Sequence, residues 1–264
     1  MNDYPMPRFE GSRLKVERAY KHISDINSIL EVFIGSDFYD LTIDKHFDTG
    51  ENFLRCNIKS RLEEERLALI VGDALHNLRS ALDLLYYETV ALCNGTSTKW
   101  TRFPFTDTRE ELVRRLNSAL KKKQITSSVY NLILSVVKPY QVGNVALWTL
   151  DDLNITDKHQ LLIPVLKLVM LRDVRFEDEQ HRPLPTLQSE FFVGDPGIAF
   201  IDGANGLNIT VKNKGRAAAD ILLAKGLLLK IQAIIPTLRG IAEEVTNTID
   251  AFDILFDGLL LMLE

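Results

Sequence analysis

The chemistry available to this chain is concentrated in a few polar residues between Leu67 and Cys93. Asp73, His76, Asn77, Arg79, Ser80, Asp83 and Tyr87 recur at spacings of three, four and seven that gather them on one side of a helix. An ordinary solvated face is richer in Lys and Glu. This set can donate, accept and titrate, as an active site or a buried polar network requires. A second group, Asp152, Asp157, Lys158 and His159, lies further along the chain. If the two groups meet, His76 and His159 join several carboxylates, a donor mixture that suits a divalent cation. The structural alternative is that His76, Asn77, Asp157 and His159 cap loops and hydrogen-bond backbone. Asp-Lys-His at a helix exit points its side chains in divergent directions, so no metal is assigned.

Within the first group, Arg79 and Asp83 stand four apart and can pair as routine helix support. Alternatively Arg79 clamps a phosphate while His76, one turn back, serves as acid or base. The catalytic candidates are therefore His76, Arg79, Asp83 and His159. The ligand-binding candidates are Asp73, Asn77, Ser80, Asp152, Asp157 and Lys158. A basic run, Arg114, Arg115 and Lys121 to Lys123, reads as a solvated helix face that complements the dipole. Its nucleic-acid alternative needs aromatic or polar readers nearby, and Trp100, Arg102 and Phe103 are close to it only in sequence.

The elements that must position these groups follow from periodicity. Leu67, Val71, Leu75, Leu78, Leu82, Leu85 and Leu92 lay an apolar stripe along a central helix that begins near Arg61. An earlier helix over 11–34 ends at Gly35, and 38–59 alternates as two strands around Asp48-Thr49-Gly50, a hairpin. Phe103-Pro104-Phe105 forces an extended segment. Thr108 with Glu111 forms a capping box that opens a helix over 109–122. Further helices are expected over 126–137, stopped by Pro139, and from Val145 to Asp157 with Leu147, Leu150 and Leu153 inward. A buried strand is expected over 161–172, a polar loop over 173–188, and strands over 190–193, 198–201 and 207–211 joined as a meander. Residues 218–235 fit either period, with Gly226 and Pro236 favouring strand, and Pro236 opens a closing helix.

The fold class is thus α+β: a helical half with a small hairpin (1–160), then an antiparallel sheet and a C-terminal helix (161–264), packed as one domain. With 264 residues, 46% of them hydrophobic, the chain can bury a full core without disulfides. A net charge of −5 provides no overall basic field for nucleic acid or anionic lipid, although a local basic groove remains open. No window reaches the apolar length of a membrane span and no signal-peptide core opens the chain, so a cytoplasmic protein with no membrane partner is expected. Cys56 and Cys93 read as reduced packing residues. No cofactor fingerprint or nucleophile elbow is present, so no cofactor is expected.

The stretch Gly72-Asp73-Ala74-Leu75-His76-Asn77-Leu78-Arg79-Ser80-Ala81-Leu82-Asp83, taken with Phe103-Pro104-Phe105, Pro139-Tyr140 and Asp157-Lys158-His159, resembles a family of uncharacterised bacterial proteins of similar length. That resemblance implies no activity. Arg79-Ser80 also resembles, more distantly, the start of the HEPN signature, in which four to six residues, the first often polar, separate an Arg from a His. HEPN proteins are helical members of bacterial defence and toxin systems, and many cut RNA. Here Leu84 holds the first position open to that His, and Tyr86 does not supply it. The resemblance therefore implies a catalytically degenerate relative, since no imidazole protonates the leaving group. The expectation is a bacterial binding or interaction protein, self-associating through its long helices, with RNA or protein as partner. The competing expectation is an RNA-directed or metal-assisted hydrolase using His76, Arg79, Asp157 and His159.

Overall fold

The computed structural model describes residues 7–60, 62–160, 165–184, 187–192, 197–200, 207–223 and 232–260. It is an α+β molecule. In chain order the elements are α1 (Glu10–Gly35), β1 (Tyr39–Lys45), β2 (Asn52–Ile58), α2 (Glu64–Leu92), α3 (Arg109–Lys121), α4 (Ser127–Leu132), a π-helical turn (Ile133–Val137) and α5 (Val145–Gln160). The strands β3 (Val165–Asp178), β4 (Leu187–Phe192), β5 (Gly197–Phe200), β6 (Ile209–Asn213), β7 (Arg216–Leu223) and β8 (Gln232–Ala233) follow, and α6 (Ile234–Leu260) closes the chain. Among the described residues no helix is long and apolar enough to cross a membrane.

The chain divides into two compact units, each assembled from separated segments. The first takes residues 1–25, 68–163 and 236–264, and the second takes 26–67 and 164–235. In the first unit the core follows the expected stripes. Leu75, Leu78, Leu82 and Leu85 of α2, Leu147, Leu150 and Leu153 of α5, and Leu238, Val245 and Phe252 of α6 are all wholly buried. Each such side chain contributes about 1.5–3 kcal/mol through removal from water. Leu92, at the far end of the α2 stripe, is 47% exposed. α3 begins where its cap predicts, with the Thr108 hydroxyl accepting from Glu111 N–H at 3.3 Å.

The helix expected over 126–137 is broken in two. After Leu132 the backbone widens into the π-helical turn, which ends at Lys138 in a left-handed conformation (φ 52°) ahead of Pro139. The extra residue in the turn shifts the helical phase, so Val137 is buried while Val136 is 63% exposed.

In the second unit β1 and β2 form the expected hairpin, with Tyr39 opposite Ile58 and Lys45 opposite Asn52. The meander is not formed. β5 instead pairs antiparallel with β2, Phe53 opposite Phe200, to complete a three-stranded sheet. β3 is the centre of the other sheet, pairing with β4, β6 and β7, all antiparallel. A single strand can serve so many partners because it is fourteen residues long and changes register near Asp173, whose φ is 60°. Its bulge thereby divides it into two lengths. Gly215 packs against the same bulge. A Cβ there would stand 2.2 Å from the Arg172 carbonyl oxygen, at a φ of +74° that favours glycine in any case.

The loop expected over 173–188 is also corrected, because β3 runs on to Asp178. Leu171, Val174 and Phe176 are buried and Arg172 and Arg175 exposed, an alternation hidden by the polar average of the segment. Chain reversal then rests on Asp178, whose carboxylate accepts from the N–H groups of Gln180 and Arg182, each at 2.9 Å. Pro164, the expected edge proline, and Gly226, within the ambiguous stretch, lie outside the described residues. The parts of that stretch that are described are strand, β7 and β8, before α6 takes over at Ile234.

Candidate functional site

Arg79 is the most heavily engaged polar side chain of the central helix. Its Nε donates to Asp151 Oδ1 of α5 at 2.8 Å, and its Nη1 donates to Asp83 one turn on along α2. Its guanidinium carbon lies 4.4 Å from the ring centroid of Phe105, a stacked cation–π contact. Only 11% of the side chain is exposed. The arginine is a strut joining α2, α5 and the Phe-Pro-Phe segment.

Asp83 shares this work. Besides Arg79, its Oδ1 accepts the backbone N–H of Phe103 at 2.9 Å, and its Oδ2 lies 3.3 Å from Arg102 Nη1. The carboxylate thus fixes the extended segment that Pro104 disposes toward that shape. Phe103 and Phe105 meet at a tilt of 57° with 5.0 Å between centroids, Tyr86 meets Phe103 edge-on at 6.2 Å, and all three rings are buried. Three adjoining cavities open around Arg102. One of about 360 Å³ is lined by four cations, Arg79, Arg102, Arg115 and Lys158, against two carboxylates, Asp83 and Asp151. A second, of about 530 Å³, is lined by Trp100, Arg102, Phe103 and Arg115 among others. The third, of about 300 Å³, includes Ser80, Asp83, Tyr87 and Lys99.

The remaining candidates divide between this groove and a different corner. At Gly72 the bare backbone of α2 lets α5 approach so closely that a Cβ would lie 2.6 Å from Asp157 Oδ2. The Asp157 carboxyl is pushed above its ordinary range, first by burial and then by Asp73, with His76 and Lys158 opposing. Asp73, His76 and Asp157 therefore share one electrostatic neighbourhood. His76 and Asp73 are exposed on its outer side. Asn77 is half-buried and donates back to the Asp73 carbonyl at 2.8 Å, while its own oxygen lies 3.4 Å from Lys15 Nζ. Asp152 is half-buried, and its carbonyl accepts from the Thr156 hydroxyl at 2.9 Å. Neither His76, Asp152 nor Asp157 lines the three cavities. The backbone of His159 belongs to the last turn of α5, and its side chain lies outside the described residues.

Chemically, the Arg102 groove can bind anions, and the Asp157 corner holds a carboxyl that burial and Asp73 keep above its ordinary range. Among the described residues no three His, Cys, Asp or Glu side chains come together as a metal set. Both cysteines are free thiols, and burial pushes Cys56 up to about 11, which makes it an inert packing residue. Sequence reasoning missed Asp151, which sits one residue and about 100° of helical rotation from Asp152. The signal that finds it is the buried phase of Leu147, Leu150 and Leu153, which turns Asp151 toward α2. The groove also draws on Trp100, Arg102 and Arg115, which are near one another along the chain and which the fold brings around one cavity. No family model, curated protein or solved structure matches this chain.

Proposed function

We propose that this is a cytoplasmic, bacterial-type binding protein that holds a phosphate-bearing ligand in the groove around Arg102 and does not turn it over. One observation carries the reading: Arg79, the arginine that a phosphate-cleaving site would need, is bound on two sides by Asp83 and Asp151 and stacked on Phe105. A guanidinium so committed supports the walls of the groove, and the more exposed Arg102, Arg115 and Lys158 are left to meet the ligand. Leu84 and Tyr86, standing where a HEPN nuclease has its His, support the same reading. Self-association is part of the proposal, supported by exposed apolar side chains such as Leu14 and Leu69 on long helices.

Calorimetric titration with inorganic pyrophosphate tests the binding. Arg102→Ala and Arg115→Ala are each expected to weaken it several-fold, with a further loss on raising salt. Equal affinity in both variants and the parent rejects the groove as the site. Incubation with labelled RNA tests the rival hydrolase reading, which draws on the raised carboxyl of Asp157 beside His76. Intact RNA is expected. Cleavage that disappears in Asp157→Asn or Arg79→Lys would replace binding with catalysis. Light scattering on the eluted protein reads the oligomeric state, and a monomer at all concentrations removes self-association.

A further inference from the structure

The larger cavity beside Arg102 has features that a plain phosphate site does not need. Trp100 lines it and is 75% exposed, on a chain whose other tryptophan, Trp148, spends its indole N–H on Asp107 at 3.2 Å. The indole is open enough to receive a flat ring, and Lys99 Nζ already lies 5.2 Å from its centroid. Its loop is held in shape: Thr98 N–H donates to Thr101 Oγ1 at 2.9 Å, Thr101 N–H to the Thr98 carbonyl at 2.8 Å, and Trp100 N–H to Thr98 Oγ1 at 3.2 Å. The ring is therefore presented on an ordered turn. Beyond it the cavity is lined by Arg102 and Arg115 with no carboxylate among the described residues, and by Ser118 and Gln124, whose side chains can donate and accept.

Both arginines have neighbouring carboxylates outside the cavity wall. Arg115 pairs with Glu111 at 2.7 Å and Arg102 with Asp83 at 3.3 Å, and both guanidinium side chains are more than half exposed. Exposed pairs of this kind are weak and leave further N–H donors for a ligand. A flat aromatic platform, two guanidinium groups and amide and hydroxyl groups around a cavity of about 530 Å³ match the parts of one nucleotide. We propose that this cavity binds a nucleoside phosphate unit, its base stacked on Trp100 and its phosphate held by Arg102 and Arg115. The inference rests on the anion-binding reading of the groove and adds the base.

Trp148→Phe protein, in which Trp100 is the remaining tryptophan, provides the test. Its emission is followed during titration with AMP, adenosine, ribose 5-phosphate and a twelve-residue oligoadenylate, with circular dichroism confirming the fold of each variant. AMP or the oligomer is expected to quench the emission, with ribose 5-phosphate and adenosine each binding at least about 10-fold more weakly, since each lacks one half of the recognised unit. In calorimetry on the parent background, Trp100→Ala should weaken AMP by about 5- to 150-fold, the range for one base–aromatic stack, and Trp100→Phe should recover most of the loss. An oligomer that binds more tightly than AMP identifies a single strand as the source, whereas equal affinity identifies the free nucleotide. If Trp100→Ala binds AMP as the parent does and ribose 5-phosphate competes equally, the base site is overturned while pyrophosphate binding survives. If pyrophosphate and every nucleotide fail with the parent protein, both readings fall.

Discussion

At the level of single residues, two helical glycines make opposite demands. Gly72 in α2 faces the Asp157 carboxylate at a distance no Cβ tolerates, whereas a Cβ on Gly240 in α6 meets nothing within 4 Å. Alanine is preferred over glycine inside a helix by about 1 kcal/mol. Gly240→Ala should therefore raise stability by about 0.5–1 kcal/mol. Gly72→Ala should lower it by about 1–3 kcal/mol through overpacking, and chemical denaturation of the pair checks both signs. Asp157 itself is held above its ordinary value of 3.8 by burial and by Asp73. Between that value and its folded pKa the native state binds more protons than the unfolded chain, so the group costs stability progressively as pH rises through the window, and the full cost remains at neutrality. Asp157→Asn should accordingly unfold at a higher temperature than the parent at pH 7. The difference should close as pH falls below 3.8, where Asp157 is protonated in the folded and the unfolded chain alike, and a melting series across pH reads it directly.

Among the elements, α3 is the most self-contained. Thr108 caps it, Glu110 and Glu111 occupy its positive end, and Arg115 pairs back to Glu111. Thr108→Ala should cost about 1 kcal/mol, the usual value of a lost hydroxyl cap, while Thr108→Ser should cost little. α3 also contributes Arg115, Ser118 and Ala119 to the Trp100 cavity, so fraying of its first turn should weaken ligand binding together with stability. α2 behaves differently because its two faces have separate roles. Its apolar stripe was legible as a heptad-like run of Leu and Val. The polar face gave the right residue types but no partners, since periodicity states which side a residue occupies and not what it meets there.

At the scale of the whole molecule, ties span great sequence distance. Arg13 of α1 reaches Asp250 at 2.7 Å and Asp253 at 3.0 Å on α6, and Arg8 reaches Asp253 at 2.7 Å. These pairs are partly exposed, so Arg13→Ala should cost no more than about 1 kcal/mol, and the cost should shrink as salt screens it. Denaturant midpoints at low and high salt supply the comparison. A net charge of −5 together with a groove lined by four cations shows that charge is distributed by place. A sum over composition could not locate such a patch.

The sequence alone determined the elements whose causes are local. These are the apolar stripes of α1, α2, α5 and α6, the cap of α3, the hairpin of β1 and β2, and the α+β class that follows from them. Each depends on side chains within a turn or two of one another, where period and capping chemistry are sufficient. Tertiary structure decided what depends on distant partners: the pairing of β5 with β2, the several partners of β3, and Asp151 as the second carboxylate on Arg79. It also gathered Trp100, Arg102 and Arg115 around one cavity. Strand pairing and buried ion pairs are settled by which whole faces can be buried together, and bulges such as the one at Asp173 reset the register midway. No window of sequence contains that information, because the groups that satisfy one another are brought together only after the helices and sheets have packed.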